Sequence, residues 1–293
     1  MTLPPELLRW EPHPDAWLLI VVLLGGYLYA LSAWGPRYAA GRVAATARQR
    51  WCFYGGIFSL WVMADWPVKV LAETLFSVHM AQHLVFSLIS APLLLLGTPG
   101  WLLRRLLSPR PLQVLWSILT RPLVALVVFN TWIVMYHWPP LVNLSVTNEW
   151  FHLLAHVGWV GTALIMWWPV LSPLPEMPHL PAPARMLYLF GQSIVPTIPA
   201  SFLTFGESLL YRTYATAPLA YGVAPITDQQ VAGLLMKIAG GFFIWGVIAV
   251  IFFRWSSDSE TGAPDRLYWR DVEPGFDTIT ATKLMTDRST RTS

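Results

Sequence analysis

Seven stretches of this chain stay apolar for close to the 20 or so residues that an α-helix needs to cross the hydrocarbon core of a bilayer. They are Trp17–Trp34, Trp51–Trp66, Leu75–Leu96, Pro122–Trp138, Trp150–Leu171, Met186–Phe205 and Val231–Phe253. Lipid offers no partner to a backbone N–H or C=O, so a spanning segment must satisfy its own, as a helix does. The charge content agrees. Only 12% of residues are charged, about half the share of a soluble domain. The expected fold is therefore an all-α membrane protein, a bundle of seven transmembrane helices. The sixth run carries Pro196 and Pro199, and the sequence predicts a kink there.

Arginine and lysine give the bundle a direction, because short cytoplasmic loops are enriched in both. Arg37, Arg42, Arg48 and Arg50 follow the first run; Arg104, Arg105, Arg110 and Arg121 follow the third; Arg185 follows the fifth. Arg254, Arg266, Arg270, Lys283, Arg288 and Arg291 follow the seventh, whereas the opposite side has Arg9, Lys69 and Arg212. This asymmetry predicts an N-terminus outside and a C-terminus in the cytoplasm, which an odd number of spans also requires. Residues 1–16 then form a short extracytoplasmic segment, 17–255 the seven-helix transmembrane domain and 256–293 a polar cytoplasmic tail. The N-terminal residues include Glu6 and Glu11 and lack a basic start before an apolar core, so the first run reads as a span rather than a cleaved signal. Ser172–Pro183, rich in proline, reads as a stiff cytoplasmic linker.

The net charge of +3 does not point to nucleic acid, since the basic residues sit in short loops between spans that contact lipid. The lone cysteine, Cys52, excludes an internal disulfide and a multi-thiolate metal site. No glycine-rich nucleotide fingerprint and no nucleophile–base pair is evident, so the chain does not read as an enzyme.

Ionisable groups inside spans are costly and point to function. His79 and His83 form an H-x-x-x-H pair, and His152 and His156 form another. Spacing of i, i+4 sets both rings of a pair on one helical face, the arrangement that lets paired helical histidines hold one metal. The first pair precedes Gly97 by 18 and 14 residues, and the second precedes Leu171 by 19 and 15. At about 1.5 Å per residue the pairs lie at nearly one depth, towards the outer leaflet. His137, Met80, Met236, Met63, Asp65 and Asp228 gather on the same side. Imidazole suits several transition metals and thioether selects Cu(I), so the mixture leans towards copper.

Structural explanations stand beside these readings. Membrane histidines also join helices by hydrogen bonds, and methionine fills gaps in cores. Thr227-Asp228-Gln229-Gln230 reads as a capping box at the start of the seventh span, and Glu149 after Asn148 as a first-turn acid of the fifth. His13, between two prolines, is expected in solvent, and Lys237 either snorkels outward or pairs with Asp228 or Glu207.

At three segments the chain resembles the CtaG-like cytochrome c oxidase assembly factors of the caa-type oxidases. They are His79-Met80-Ala81-Gln82-His83 with Ala91-Pro92-Leu93-Leu94-Leu95-Leu96-Gly97-Thr98-Pro99, His152-Leu153-Leu154-Ala155-His156 with Trp167-Trp168-Pro169, and Asp228-Gln229-Gln230 with Gly233 and Met236. The resemblance implies a seven-span protein of the bacterial plasma membrane that helps a haem-copper oxidase form its copper centres. Its partners would be oxidase subunits and an extracytoplasmic copper chaperone. The chain departs from the family where an aromatic residue usually follows the methionine, with Lys237 in that place. The predicted ligands are His79, His83, His152 and His156, with Met80, Met236, Asp228 and His137 as auxiliary contacts. Two other functions fit the same residues. One is a membrane cytochrome whose haem is clamped by His83 and His156. The other is a small-solute or ion transporter gated near Lys237 and the prolines of the third and sixth runs.

Overall fold

The computed structural model describes residues 10–39, 41 and 43–261. The cytoplasmic tail expected at 256–293 and the N-terminal segment expected at 1–16 therefore fall largely outside the described residues. Among the described residues every regular element is helical. The chain divides into two compact units, Met1–Ala249 and Val250–Ser293. In the second, Phe252 meets the rings of Phe253 and Trp255 along the end of the last helix. The candidate site lies in the first.

Helix α1, Pro14–Tyr29, runs on through a π-helical turn at Ala30–Trp34 to Gly35–Tyr38. Helix α2, Ala47–Ala64, starts at a capping box in which Thr46 and Gln49 satisfy each other's backbone N–H. After the short α3, Val68–Thr74, comes α4, Phe76–Gly97, which contains a π turn at Phe86–Ser90. The connections α5, Gly100–Leu106, and α6, Arg110–Leu119, lead to α7, Pro122–Tyr136, and α8, Pro139–Thr147. Helix α9, Glu149–Leu171, begins where the Asn148 carboxamide accepts the Phe151 N–H at 2.9 Å. Helix α10, Ala182–Phe205, is interrupted between Ile194 and Thr197, at the expected proline kink. Helix α11 starts as Pro225–Leu234 and continues through a π turn, Leu235–Ala239, into Gly240–Thr261.

Among the described residues five helices are long and apolar enough to cross a membrane, and six if a bent pair is counted as one span. The five correspond to the first, third, fifth, sixth and seventh expected runs. The second run falls in α2, whose first turn holds Arg48, Gln49 and Arg50 and lowers its hydropathy. The fourth falls in α7, only 15 residues long and joined to α6 across a bend of 81°. Burial ranks the helices. The apolar windows of α4 and α9 are 61% and 56% buried, against 17% for the windows beginning in α1 and α11. The two helices that carry the histidine pairs are therefore the inner ones.

Close packing around α4 relies on small residues. Gly97 at its end lies against the backbone of Phe53 in α2, where a Cβ would collide, and its carbonyl accepts the Tyr27 hydroxyl at 3.0 Å. The proline-rich linker folds back on α9: Leu180 N–H donates to Pro169 O at 2.8 Å, and Glu176 pairs with Arg104 at 2.8 Å. That ion pair is half-exposed, too solvated to hold the linker alone.

Candidate metal centre

The two histidine pairs meet. Their side chains project from facing turns of α4 and α9, and none of the four residues is more than 9% exposed. The His79 and His152 rings lie nearly parallel with centroids 6.2 Å apart, and the His83 and His156 rings are 6.0 Å apart at a steep angle. Within the pairs, His152 and His156 are 4.2 Å apart, and Nε2 of His79 and Nε2 of His83 are separated by 2.9 Å. A contact that short between two imidazole nitrogens holds one shared proton, with one ring donating and the other accepting. Among the described residues, the buried Nδ1 of His83 and Nε2 of His156 find no hydrogen-bond partner. Among the described residues, no three His, Cys, Asp or Glu side chains are disposed to hold one metal ion as the rings stand.

Aromatic groups wall the four rings. Trp159 stacks on His83 at 4.3 Å, Tyr136 approaches it edge-on at 5.1 Å, and Phe86 packs against His156 at 4.9 Å. On one flank His152 and His156 line a cavity of about 210 Å³ together with Lys69. Lys69 is buried, so this lysine is an interior group and not the loop charge expected from the sequence.

His137 occupies another flank. Its Nδ1 lies 2.7 Å from Ile133 O, its Nε2 lies 3.3 Å from Met236 Sδ, and its carbonyl accepts the Tyr211 hydroxyl at 2.9 Å. Met80 is buried in a core cluster with Phe76 and Met236. Met80, Met236, His137 and His83 share the walls of one narrow cavity of about 70 Å³.

Asp228 does not cap its own helix. That helix starts three residues earlier, at Pro225, with no side-chain cap. The buried carboxylate instead accepts the Phe76 N–H at 2.6 Å, the Ser77 N–H at 3.2 Å and the Ser77 hydroxyl. It thereby caps α4, whose own N-cap residue, Leu75, has no side-chain oxygen to offer. The capping motif was legible, but which helix it serves depends on a contact across the bundle.

One further expectation is corrected. His13 is buried, and its Nδ1 lies 3.2 Å from the Asp65 carboxylate. Asp65 also accepts from Trp17 Nε1 at 2.8 Å, Trp61 Nε1 at 2.9 Å and Trp66 N–H at 2.8 Å. These donors fix the entry of the chain against the end of α2 and commit Asp65 to structure. Lys237 takes the outward course expected for it: it is exposed and sets its ammonium 5.5 Å over the Phe205 ring, a cation–π contact.

Residues 25–258 match the family described as cytochrome c oxidase caa3 assembly factor (Caa3_CtaG). The chain belongs to this family. The match takes in all four paired histidines, His137, Asp228 and Met236. An uncharacterised protein of Mycobacterium leprae is 24% identical over 278 residues, which cover 86% of this chain and 41% of the relative. Another, of Mycobacterium bovis, is 25% identical over 257 residues, covering 80% of this chain and 38% of the relative. The chain thus spans about two fifths of the length of the curated relatives it matches. No solved structure matches it.

Several residues of this family member's site escaped sequence reasoning. Trp159 lies one turn after His156, and Tyr136 is adjacent to His137, but aromatic residues recur so often in this chain that spacing did not single them out. Gln82 lies between the two histidines of α4 and donates to the Met63 carbonyl, tying the site helix to the end of α2. Its place inside an apolar run was the available signal.

Proposed function

We propose that this chain handles copper for the assembly of a haem-copper oxidase, with His79, His83, His152 and His156 receiving the ion. The role is that of an assembly factor and not of a catalyst. The observation that carries the reading is the 2.9 Å approach of the His79 and His83 Nε2 atoms beside the rings of His152 and His156. Four imidazoles in an apolar wall are costly to pack where ring nitrogens such as Nδ1 of His83 and Nε2 of His156 are buried without a hydrogen bond. They are a suitable donor set for copper, which imidazole binds well. Buried nitrogens of His83 and His156 without hydrogen bonds fit the same reading. Copper is cargo here, bound through ring-nitrogen lone pairs as the proton between His79 and His83 moves to the other nitrogen of its ring.

In this reading α2 and α7 complete seven spans in a bacterial plasma membrane, with the N-terminus outside. The histidines then lie towards the outer face, where an extracytoplasmic chaperone would deliver copper and an oxidase subunit would receive it. A haem between His83 and His156 fits less well. The macrocycle would need the space filled by His79, Trp159 and Phe86, whose rings already lie 4.5, 4.3 and 4.9 Å from one or other of the two histidines.

The test is the copper content of oxidase purified from cells that carry His83→Ala or His156→Ala in place of the wild-type chain. The proposal expects oxidase that keeps its haem and loses copper. Oxidase with full copper from both variants would sink it.

A further inference from the structure

We infer that His137 and Met236 form a second metal station, separate from the four paired histidines and selective for a cuprous ion. The inference deepens the copper-handling reading but stands on different atoms. A backbone carbonyl can only accept, so the 2.7 Å contact of His137 Nδ1 with Ile133 O places the ring proton on Nδ1. In neutral imidazole Nε2 then carries a lone pair. That lone pair faces the Met236 sulfur at 3.3 Å, and a thioether has no proton to donate. Two acceptors thus confront each other inside a buried wall. Protonating the ring would relieve the contact only by burying an imidazolium, which costs several kcal/mol when unpaired.

A cation bridging the two relieves it directly. With metal–nitrogen and metal–sulfur distances of about 2.0 and 2.3 Å, a separation of 3.3 Å closes at an angle near 100°, which suits two ligands of one ion. Met80 brings a second thioether into the same cavity wall. The donors are soft and uncharged. A site with no carboxylate or thiolate, in a medium of low dielectric, favours a monovalent ion over a divalent one, and thioether sulfur selects Cu(I).

The position suits passage of an ion. His137 lines the inner cavity shared with His83 and also a surface groove of about 600 Å³ bordered by Trp138, Phe202 and Tyr211. The π turn at Leu235–Ala239 is what carries Met236, and such turns recur where a helix must aim a functional side chain. The station therefore stands between the paired histidines and the surface.

Full-length protein in detergent is titrated with Ag(I), a redox-inert stand-in for Cu(I), and with Cu(II). Three forms are compared: wild type, Met236→Leu, and His83→Ala combined with His156→Ala. The paired-histidine variant is expected to lose Cu(II) and keep one Ag(I); Met236→Leu is expected to weaken that Ag(I) at least about ten-fold and leave Cu(II) in place. X-ray absorption of the wild type loaded with Cu(I) needs no variant and is expected to show sulfur in the first shell. A shell of nitrogen alone, or Ag(I) affinity unmoved by Met236→Leu, overturns the station. If the paired histidines bind no copper while Ag(I) binding still depends on Met236, the station stands and the proposed role of the four histidines fails.

Discussion

The Asp228 carboxylate accepts the backbone N–H of Phe76 at 2.6 Å across 152 residues of sequence. The contact fixes the start of α4, the helix that carries His79 and His83, from a side chain of α11. A negative group at a helix N-terminus satisfies exposed N–H donors and opposes the positive end of the helix dipole. Replacing it leaves those donors buried and unpaired. Asp228→Ala should cost about 2–3 kcal/mol of stability, and Asp228→Asn, which keeps one acceptor, about half of that. Thermal unfolding in detergent checks the order. Copper binding that vanishes in Asp228→Asn with no loss of stability would return Asp228 to the role of ligand.

Gly233 decides how closely α11 lies on α10. A Cβ there would sit 2.5 Å from Thr204 Oγ1 and 2.7 Å from Ala200 O. The second neighbour is backbone and cannot swing away. Gly233→Ala should cost about 1–3 kcal/mol through overpacking, and Gly233→Val more. Because Met236 lies one turn further along, the same variants should weaken Ag(I) binding while leaving the paired histidines able to take Cu(II). Equal loss of both metals would show that the damage is global.

Asp65 gathers four donors, from His13, Trp17, Trp61 and the Trp66 backbone, around one buried carboxylate. Hydrogen bonds to a charged group are among the stronger ones, and three of the four donors are side chains that lose their acceptor together. Asp65→Ala should destabilise the chain by about 3 kcal/mol or more and red-shift tryptophan emission as Trp17 and Trp61 gain solvent. His13→Ala, which removes one donor and leaves the carboxylate served by three, should cost about 1 kcal/mol. Unchanged emission in Asp65→Ala would show that the N-terminal segment is held by other contacts.

The helical nature of the chain and the placing of each histidine pair on one helical face were legible, because hydrophobic length and i, i+4 spacing are local signals; that the two faces meet is not a local signal. The depth match of His79 and His83 with His152 and His156 worked because helical rise is constant. Asp228 and His13 were misread for a common reason: each acts on a different helix from its own, and no local pattern encodes a partner 52 or 152 residues away. Lys69 was misread because a charge between spans looks the same in sequence whether it lies in a loop or turns inward on α3. The 81° bend between α6 and α7 also has no local mark beyond Pro122, so α7 was counted as a span of ordinary length.

The direction of the bundle gives the last prediction. Lys69 is buried, which removes it from the loop charges on the expected outer side and leaves Arg9 and Arg212 there against the arginine-rich opposite loops. The sharper asymmetry predicts an extracytoplasmic N-terminus and a cytoplasmic C-terminus. Green fluorescent protein fused after Ser293 should therefore fluoresce, and alkaline phosphatase fused there should be inactive. Phosphatase inserted after Leu210, between α10 and α11, should be active. The N-terminus separates the counts. Seven spans place it opposite the C-terminus, whereas six place both on one side. A protease-sensitive epitope ahead of Trp10 that is cut in intact spheroplasts supports seven. An epitope protected there, with a fluorescent C-terminus, would leave six spans, with α2 or the α6–α7 pair failing to cross.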